Sequence, residues 1–320
     1  MKLGTCTILA IETSFDDTCM AIIQGGKVIV NKRKTFANTG LVPVLGQEFH
    51  KTQLPILLKQ MPDYDIISCT RGPGMAFCLK EGWTLANDLA MNCHKPLLGI
   101  HHMEAHCLSP LINNDIDYPY LCFIASGGHT QLVIVHSPLQ FELIGSALDN
   151  AIGEVYDKIS RLFNISTPDM CKLLLNKTSS LAPIPIMQSD KSFNFSFSGV
   201  KSAIVRMANA KQHSDLELML LLQSSCLLHV KKRLEQVLKK YKIKALTAAG
   251  GAIMNPALQV LLQTIAKEHK VPLVIPYDYL TDNAAMIGMC AYFQLKANRP
   301  FDTIDKWYYS KWEYNRIGKK

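Results

Sequence analysis

No C-x-x-C pair occurs among the ten cysteines, which stand at 6, 19, 69, 78, 93, 107, 122, 171, 226 and 290. In a chain of 320 residues, thiols set in apolar runs such as Ser68-Cys69 and Leu121-Cys122-Phe123 predict buried cysteines of a reducing compartment, not a disulfide framework. Apolar runs long enough for a membrane span, roughly 18 residues, are also missing. An apolar strand pattern begins within a few residues of Met1, with neither a signal peptide nor an Arg- and Ser-rich transit segment before it, so none is expected. No G-x-G-x-x-G follows a strand pattern and no G-x-x-x-x-G-K-[ST] occurs, which disfavours a dinucleotide-binding Rossmann domain and a P-loop. H-E-x-x-H is absent as well, which argues against a zinc protease.

Charge is sparse, at 19% against 48% hydrophobic residues, which excludes a disordered chain. Lys plus Arg number 34 and Asp plus Glu 26, a formal charge of +8. That balance fits an anionic partner such as RNA or a nucleotide, and fits ordinary surface lysines equally well. The length suits about two domains.

Thr7–Ile11, Thr18–Ile23 and Lys27–Val30 read as a strand meander, joined by the polar turn Glu12–Asp17 and by Gly25-Gly26. The pattern returns at Leu121–Ala125, Gln131–Val135 and Phe141–Ile144, about 115 residues on, a duplication at domain scale. Between the meanders lie strands at Ile66–Cys69 and Pro96–Ile100 and a helix over Gly82–Met91. Beyond them, helical spacing predicts helices over Ala151–Phe163, Leu216–Lys240, Asn255–Lys267 and Ala284–Leu295, with strands at Ala245–Ala249 and Val271–Ile275. Asn164–Asn194 shows no period and reads as irregular. The class is α/β with a mixed sheet in each half.

His102 and His106 stand four apart and would share one helix face, close enough for one divalent metal; a pair of polar helix residues has the same spacing. Asp282 is a candidate third ligand, though its place before a helix also suits an N-cap. Ser126-Gly127-Gly128-His129-Thr130, between two strands, is either a phosphate-cradling turn or a plain hairpin. Gly250-Gly251 permits a close approach of an anion or nucleoside to the following helix. Asp157, on a helix with Glu154 and Lys158, suits ribose hydroxyls or a solvated face. The basic stretch Lys231-Lys232-Arg233 with Lys239–Lys244 suits phosphates or solvent.

Eight segments in order give the chain a family resemblance. They are Ile11-Glu12-Thr13-Ser14-Phe15-Asp16-Asp17-Thr18, Gly72-Pro73-Gly74, His102-Met103-Glu104-Ala105-His106, Ser126-Gly127-Gly128-His129-Thr130-Gln131, Gly153-Glu154-Val155-Tyr156-Asp157-Lys158, Phe195-Ser196-Phe197-Ser198-Gly199-Val200-Lys201, Gly250-Gly251-Ala252-Ile253-Met254-Asn255 and Thr281-Asp282-Asn283-Ala284-Ala285. Together they resemble the TsaD (formerly glycoprotease, Gcp) family of tRNA N6-adenosine threonylcarbamoyltransferases, in its bacterial and mitochondrial branch. The resemblance implies a two-lobed actin, sugar-kinase and Hsp70 (ASKHA) fold with a central nucleotide cleft. Residues 1–108 would form the N-terminal lobe and 109–288 the C-terminal lobe, with 289–320 packing back on the first.

It also implies transfer of a threonylcarbamoyl group from threonylcarbamoyl-AMP to N6 of the adenosine following the anticodon in tRNAs that read ANN codons, with release of AMP. His102, His106 and Asp282 would hold one metal, iron by resemblance, with zinc and magnesium also compatible. Ile124, Ala125, Ser126, Gly127, Gly128, Asp157 and Asn255 would bind threonylcarbamoyl-AMP, ATP or AMP. Asp16 and Asp17 match acidic positions near the phosphate end and are the catalytic candidates; no general base is evident. Expected partners are tRNA, a separate synthase supplying the donor, and accessory family subunits or a second copy of the chain, with no membrane. The compartment would be the cytoplasm in a bacterium, or a mitochondrion-related organelle in a eukaryote.

Three places depart from the family pattern: Thr167-Pro168-Asp169-Met170 where Pro-Gly-Gly is usual, Val44 where Glu is common, and charged Lys80-Glu81 in a usually apolar helix start. They leave a second reading, a non-catalytic scaffold subunit of a tRNA-modification complex, and a third, the metalloprotease of the old family name.

Overall fold

The computed structural model describes residues 4–36, 43–185, 193–305 and 307–314. Chain order opens with the antiparallel meander β1 (Thr7–Glu12), β2 (Asp17–Gln24) and β3 (Lys27–Thr35). Then come α1 (Pro43–Leu58), β4 (Ile66–Gly72), α2 (Ala76–Cys93), β5 (Leu97–His101) and α3 (His102–Leu108), which starts where β5 stops. A second meander follows in β6 (Tyr120–Ala125), β7 (Thr130–Ser137) and β8 (Gln140–Ser146). After it come α4 (Ile152–Leu162), α5 (Thr167–Leu174), α6 (Ser198–Ala210) and α7 (Asp215–Lys240). The order closes with β9 (Leu246–Ala249), α8 (Pro256–His269), β10 (Leu273–Val274) and α9 (Ala284–Lys296).

Two compact units result. One holds Met1–Asp115, His136–Phe141 and Pro276–Lys320, the other Ile116–Val135 and Glu142–Ile275. The expected limits at 108 and 288 therefore shift to 115 and 276. The cause is α9, which packs on β1, β2 and α3, so the chain rejoins the first unit before Asp282.

The first unit's sheet has the order β3-β2-β1-β4-β5, and the second unit's β10-β9-β6-β7-β8. In each, the first strand pairs antiparallel with the second and parallel with the fourth, so the duplication is one of topology. β1 is buried on both faces. Its alternation sends Leu9 and Ile11 toward a core shared with Leu54 and Leu57 of α1 and Trp83, Ala86 and Ala90 of α2. Ile8, Ala10 and Glu12 take the opposite face.

Asn164–Asn194 is not wholly irregular. α5 forms there, with Ser166 accepting from the Asp169 amide as N-cap and Pro168 in the first turn. Met170, Cys171 and Leu174 give it a buried side too short to read as a period. Residues 186–192 of that stretch lie outside the described residues. So do Gly40, Leu41 and Val42, whereas Val44 is exposed on the first turn of α1. The charges at α2 also find a place: Glu81 accepts from Gln47 of α1 at 2.7 Å and Lys80 is exposed.

The segment after α9 lies along β4 and β5. Asp302 bridges Leu97, and the Arg71 guanidinium forks onto Asp305 at 2.7 Å on both oxygens while stacking on Trp83 and Tyr309. Among the described residues no helix is long and apolar enough to cross a membrane. None of the ten cysteines is in a disulfide, and all but Cys93 are buried.

Candidate metal and nucleotide sites

β5 runs straight into α3, so the helix begins at the C-terminal end of a buried parallel strand. His101 caps it, its Nδ1 accepting from the Glu104 amide at 3.3 Å. The i, i+4 spacing then sets the rings of His102 and His106 4.7 Å apart at 87°. Asp282 comes from the turn before α9. That helix is capped by Asn283, whose side chain accepts from the Met286 amide at 2.9 Å. Asp282 is therefore not the cap, and its carboxylate meets the imidazoles: Oδ1 is 3.1 Å from His106 Nε2 and 3.6 Å from His102 Nε2. One ligand atom from each of the three side chains lies within 4.8 Å of the others.

The residue types and their surroundings fit a metal. Two imidazoles and a carboxylate form a borderline donor set. Glu12, buried at the end of β1, holds His102 Nδ1 at 3.2 Å from Oε2, which leaves Nε2 turned toward Asp282. A carboxylate behind a histidine in this way fixes the tautomer that a metal requires. Glu12 also accepts from the Ser14 amide at 2.5 Å and from the Thr70 hydroxyl. His106 Nδ1 is buried with no hydrogen-bond partner among the described residues, so Nε2 is the nitrogen that faces polar company.

Burial would lower the His102 pKa, but the Glu12 and Asp282 carboxylates outweigh it and raise it to about 9. Burial would raise Glu12, and His102 holds it below its ordinary value instead. Two carboxylates around one imidazolium concentrate negative charge that a bound cation would offset in place of the proton.

Asp16 and Asp17 lie in the same unit. Burial raises both, Asp17 to about 6, against the Thr35 hydroxyl at 2.5 Å and the Arg33 guanidinium at 3.8 Å. Asp17 is thus bound up with β3, and neither residue is among the three whose ligand atoms converge.

The remaining sequence-named residues fall in the second unit. Ile124 and Ala125 end β6 and are buried. Ser126–His129 form the β6–β7 turn, closed by Ser126 N donating to His129 O at 2.8 Å and His129 N donating to Ser126 Oγ at 3.0 Å. Gly127 and Gly128 are exposed there, with open space where a side chain would stand. Two glycines bring neighbouring backbone against this strand end. A Cβ on Gly153 would lie 2.5 Å from Ser126 O, and one on Gly250 (φ +97°) 2.3 Å from Ala125 O.

Asn255 is buried and caps α8 through the Ala257 amide at 3.0 Å. Asp157 is half-buried on α4, with Oδ1 accepting from Thr167 at 2.6 Å. The altered Thr167-Pro168-Asp169-Met170 stretch therefore lies directly against Asp157. The basic stretch is mostly a solvated helix face, with Lys231 near Glu235 at 3.6 Å; only Arg233 is fully buried.

Sequence reasoning left Glu12, Gly153 and Asp149 without roles, although motif segments contained the first two. Asp149 anchors the start of α6: its carboxylate accepts from the Phe197 amide at 2.9 Å and from the hydroxyls of Ser196 at 2.5 Å and Ser198 at 2.6 Å. A buried carboxylate ending an apolar strand was the available signal for Glu12.

Two five-stranded mixed sheets of one topology, carried by two units, define the actin, sugar-kinase and Hsp70 class of ATPase-like folds. Solved structures agree at the level of fold. HypF in its phosphate- and nucleotide-bound form matches with a TM-score of 0.66 at 10% identity, over 96% of this chain and 57% of HypF. Component A of the (R)-2-hydroxyglutaryl-CoA dehydratase of Acidaminococcus fermentans matches with a TM-score of 0.58 at 14% identity, over 92% of this chain and all of that one (100%). Residues 27–289 match the family described as TsaD, tRNA N6-adenosine threonylcarbamoyltransferase. Proteins of that name from Mesoplasma florum and Maridesulfovibrio salexigens are 34% and 30% identical, over 91% and 90% of this chain and 99% and 92% of theirs. The chain belongs to the TsaD family. Its activity is tRNA threonylcarbamoylation and it is an acyltransferase, which sets aside the scaffold and metalloprotease readings.

Proposed function

We propose that His102, His106 and Asp282 of the first unit hold one divalent metal, and that the second unit binds the adenylate of the donor threonylcarbamoyl-AMP. The convergence of three ligand atoms within 4.8 Å carries this reading. Two nitrogens and one carboxylate suit iron or zinc better than magnesium, which prefers oxygen; the family resemblance favours iron. When bound, the metal would polarise the carbamoyl carbonyl and anchor the donor.

The rest falls to the chain's own side chains and backbone. Glu12 keeps the proton on His102 Nδ1, so it is the Nε2 proton that a metal would displace to take that nitrogen's lone pair. The Ser126-Gly127-Gly128 turn would offer backbone N–H groups to phosphate, in space that no side chain fills. Asp157 would bind ribose through Oδ2, since Thr167 occupies Oδ1, and Asn255 the nucleoside. Asp16 and Asp17, in the first unit, are the acidic residues we propose for catalysis. In the transfer a bond forms between adenosine N6 and the carbamoyl carbon. The bond from that carbon to the AMP oxygen breaks, AMP leaves with the electron pair, and N6 gives up one proton. A donor activated as a mixed anhydride calls for a separate synthase to supply it. Accessory family subunits or a second copy of the chain are the remaining partners we propose, and the bacterial relatives favour the cytoplasm as the compartment.

The test is transfer from threonylcarbamoyl-AMP to unmodified tRNA. His106→Ala should abolish transfer and leave the circular dichroism spectrum unchanged. Full activity in that variant would refute the metal role.

A further inference from the structure

Glu104 lies between the two histidines in sequence but not in space. Two positions along a helix turn the side chain by about 200°, so Glu104 leaves α3 on the side away from both imidazoles. There it is buried, and its Oε2 accepts from Gln294 Nε2 of α9 at 2.9 Å. Gln294 is buried too, and its Oε1 accepts from Arg299 Nη1. Arg299 Nη2 donates in turn to Gly99 O of β5 at 2.8 Å and to Asp302 at 2.9 Å, and Asp302 accepts from the Gly99 amide at 2.8 Å. A second tie reaches the same helix: His101 Nε2 donates to Trp312 O at 3.1 Å, while its Nδ1 caps α3. Gln294, Arg299, Asp302 and Trp312 all lie beyond the residues that match the family, 27–289.

We propose that Gln294, backed by Arg299, is a positioning residue for the metal site. The inference rests on the reading of His102, His106 and Asp282 as ligands. An amide suits the place because its NH2 meets a carboxylate and its oxygen a guanidinium, so it has only one satisfied orientation. That orientation fixes the rotation of α3 about its axis. Gln294 also belongs to the helix that Asp282 precedes, so one hydrogen bond ties the element bearing the imidazoles to the element bearing the carboxylate. Rotation of α3 would separate the two Nε2 atoms from Asp282 Oδ1 without removing any ligand.

The test is a cobalt(II) titration of the metal-stripped full chain against a competing chelator, with the cobalt absorption spectrum and thermal melting recorded beside it. Gln294→Leu should weaken cobalt binding about 10–100-fold and alter the spectrum. The double variant Glu104→Gln with Gln294→Glu inverts the amide and carboxylate and should restore binding to within about threefold of the unaltered chain. Leu57→Ala, in the core on the other face of the sheet, should lower the melting temperature and leave cobalt affinity unchanged. If Gln294→Leu fails to fold, Arg299→Gln carries the same expectation at about tenfold. Unchanged affinity in Gln294→Leu, or an equal loss in Leu57→Ala, overturns the positioning role alone. Failure of the unaltered chain to bind cobalt overturns the ligand reading beneath it.

Discussion

Replacing Glu12 by Gln should cost more than the loss of one charge suggests. Three donors converge on this carboxylate: the Ser14 amide at 2.5 Å on Oε1, and His102 Nδ1 at 3.2 Å and the Thr70 hydroxyl on Oε2. An amide has one accepting oxygen and one NH2 group. Turned to keep His102 and Thr70, it sets its NH2 against the Ser14 N–H; turned the other way, it loses both of the others. The better orientation still leaves a buried donor without an acceptor, at about 1–3 kcal/mol. Glu12 is almost fully buried, at 1% exposure, so water offers little relief. Urea unfolding of the metal-free chain should show that loss. Competitive metal titration should show about 10–100-fold weaker binding, because His102 loses the carboxylate that orients it. Stability and metal affinity both matching the unaltered chain would refute the argument that Glu12 is a charged acceptor and not a packing residue.

Asp149 offers a pH test. Burial would raise it, but the Ser196 and Ser198 hydroxyls and the Phe197 amide hold it down at about 2. With the folded value depressed, its contribution is complete above the unfolded carboxylate pKa, about 4, and is lost as pH falls toward 2. Asp149 is solvent-exposed, so screening discounts the shift, and Asp149→Ala should cost no more than about 1 kcal/mol at neutral pH; it should also flatten the acid limb of the stability curve between those limits, and an unchanged limb counts against the anchor. Gly153→Ala would put a methyl 2.5 Å from Ser126 O and force the β6–β7 turn to shift. AMP binding measured by calorimetry should weaken clearly in that variant, and undiminished binding would remove the turn from the nucleotide site.

Local signals were legible in the sequence. The H-x-x-x-H spacing places two imidazoles on one helix face whatever surrounds the helix, because 3.6 residues per turn is a property of the backbone. The doubled strand meander was readable for the same reason, since strand alternation and Gly-bearing turns are local. α5 escaped because eight residues hold too little of a period, and Ser166 and Pro168 were the better clues.

Which carboxylate joins the histidines was a different matter. In the sequence Asp282 suited the cap of the helix at Ala284 as well as a ligand, and only packing gave the cap to Asn283 and turned Asp282 toward His106. Glu12 behind His102 and Gln294 behind Glu104 likewise depend on the sheet that gathers β1, β4 and β5 with α3 and α9. Helix and strand periods are written into neighbouring residues. The meeting of residues 176 positions apart is decided by which faces must be buried, and that is a property of the whole fold.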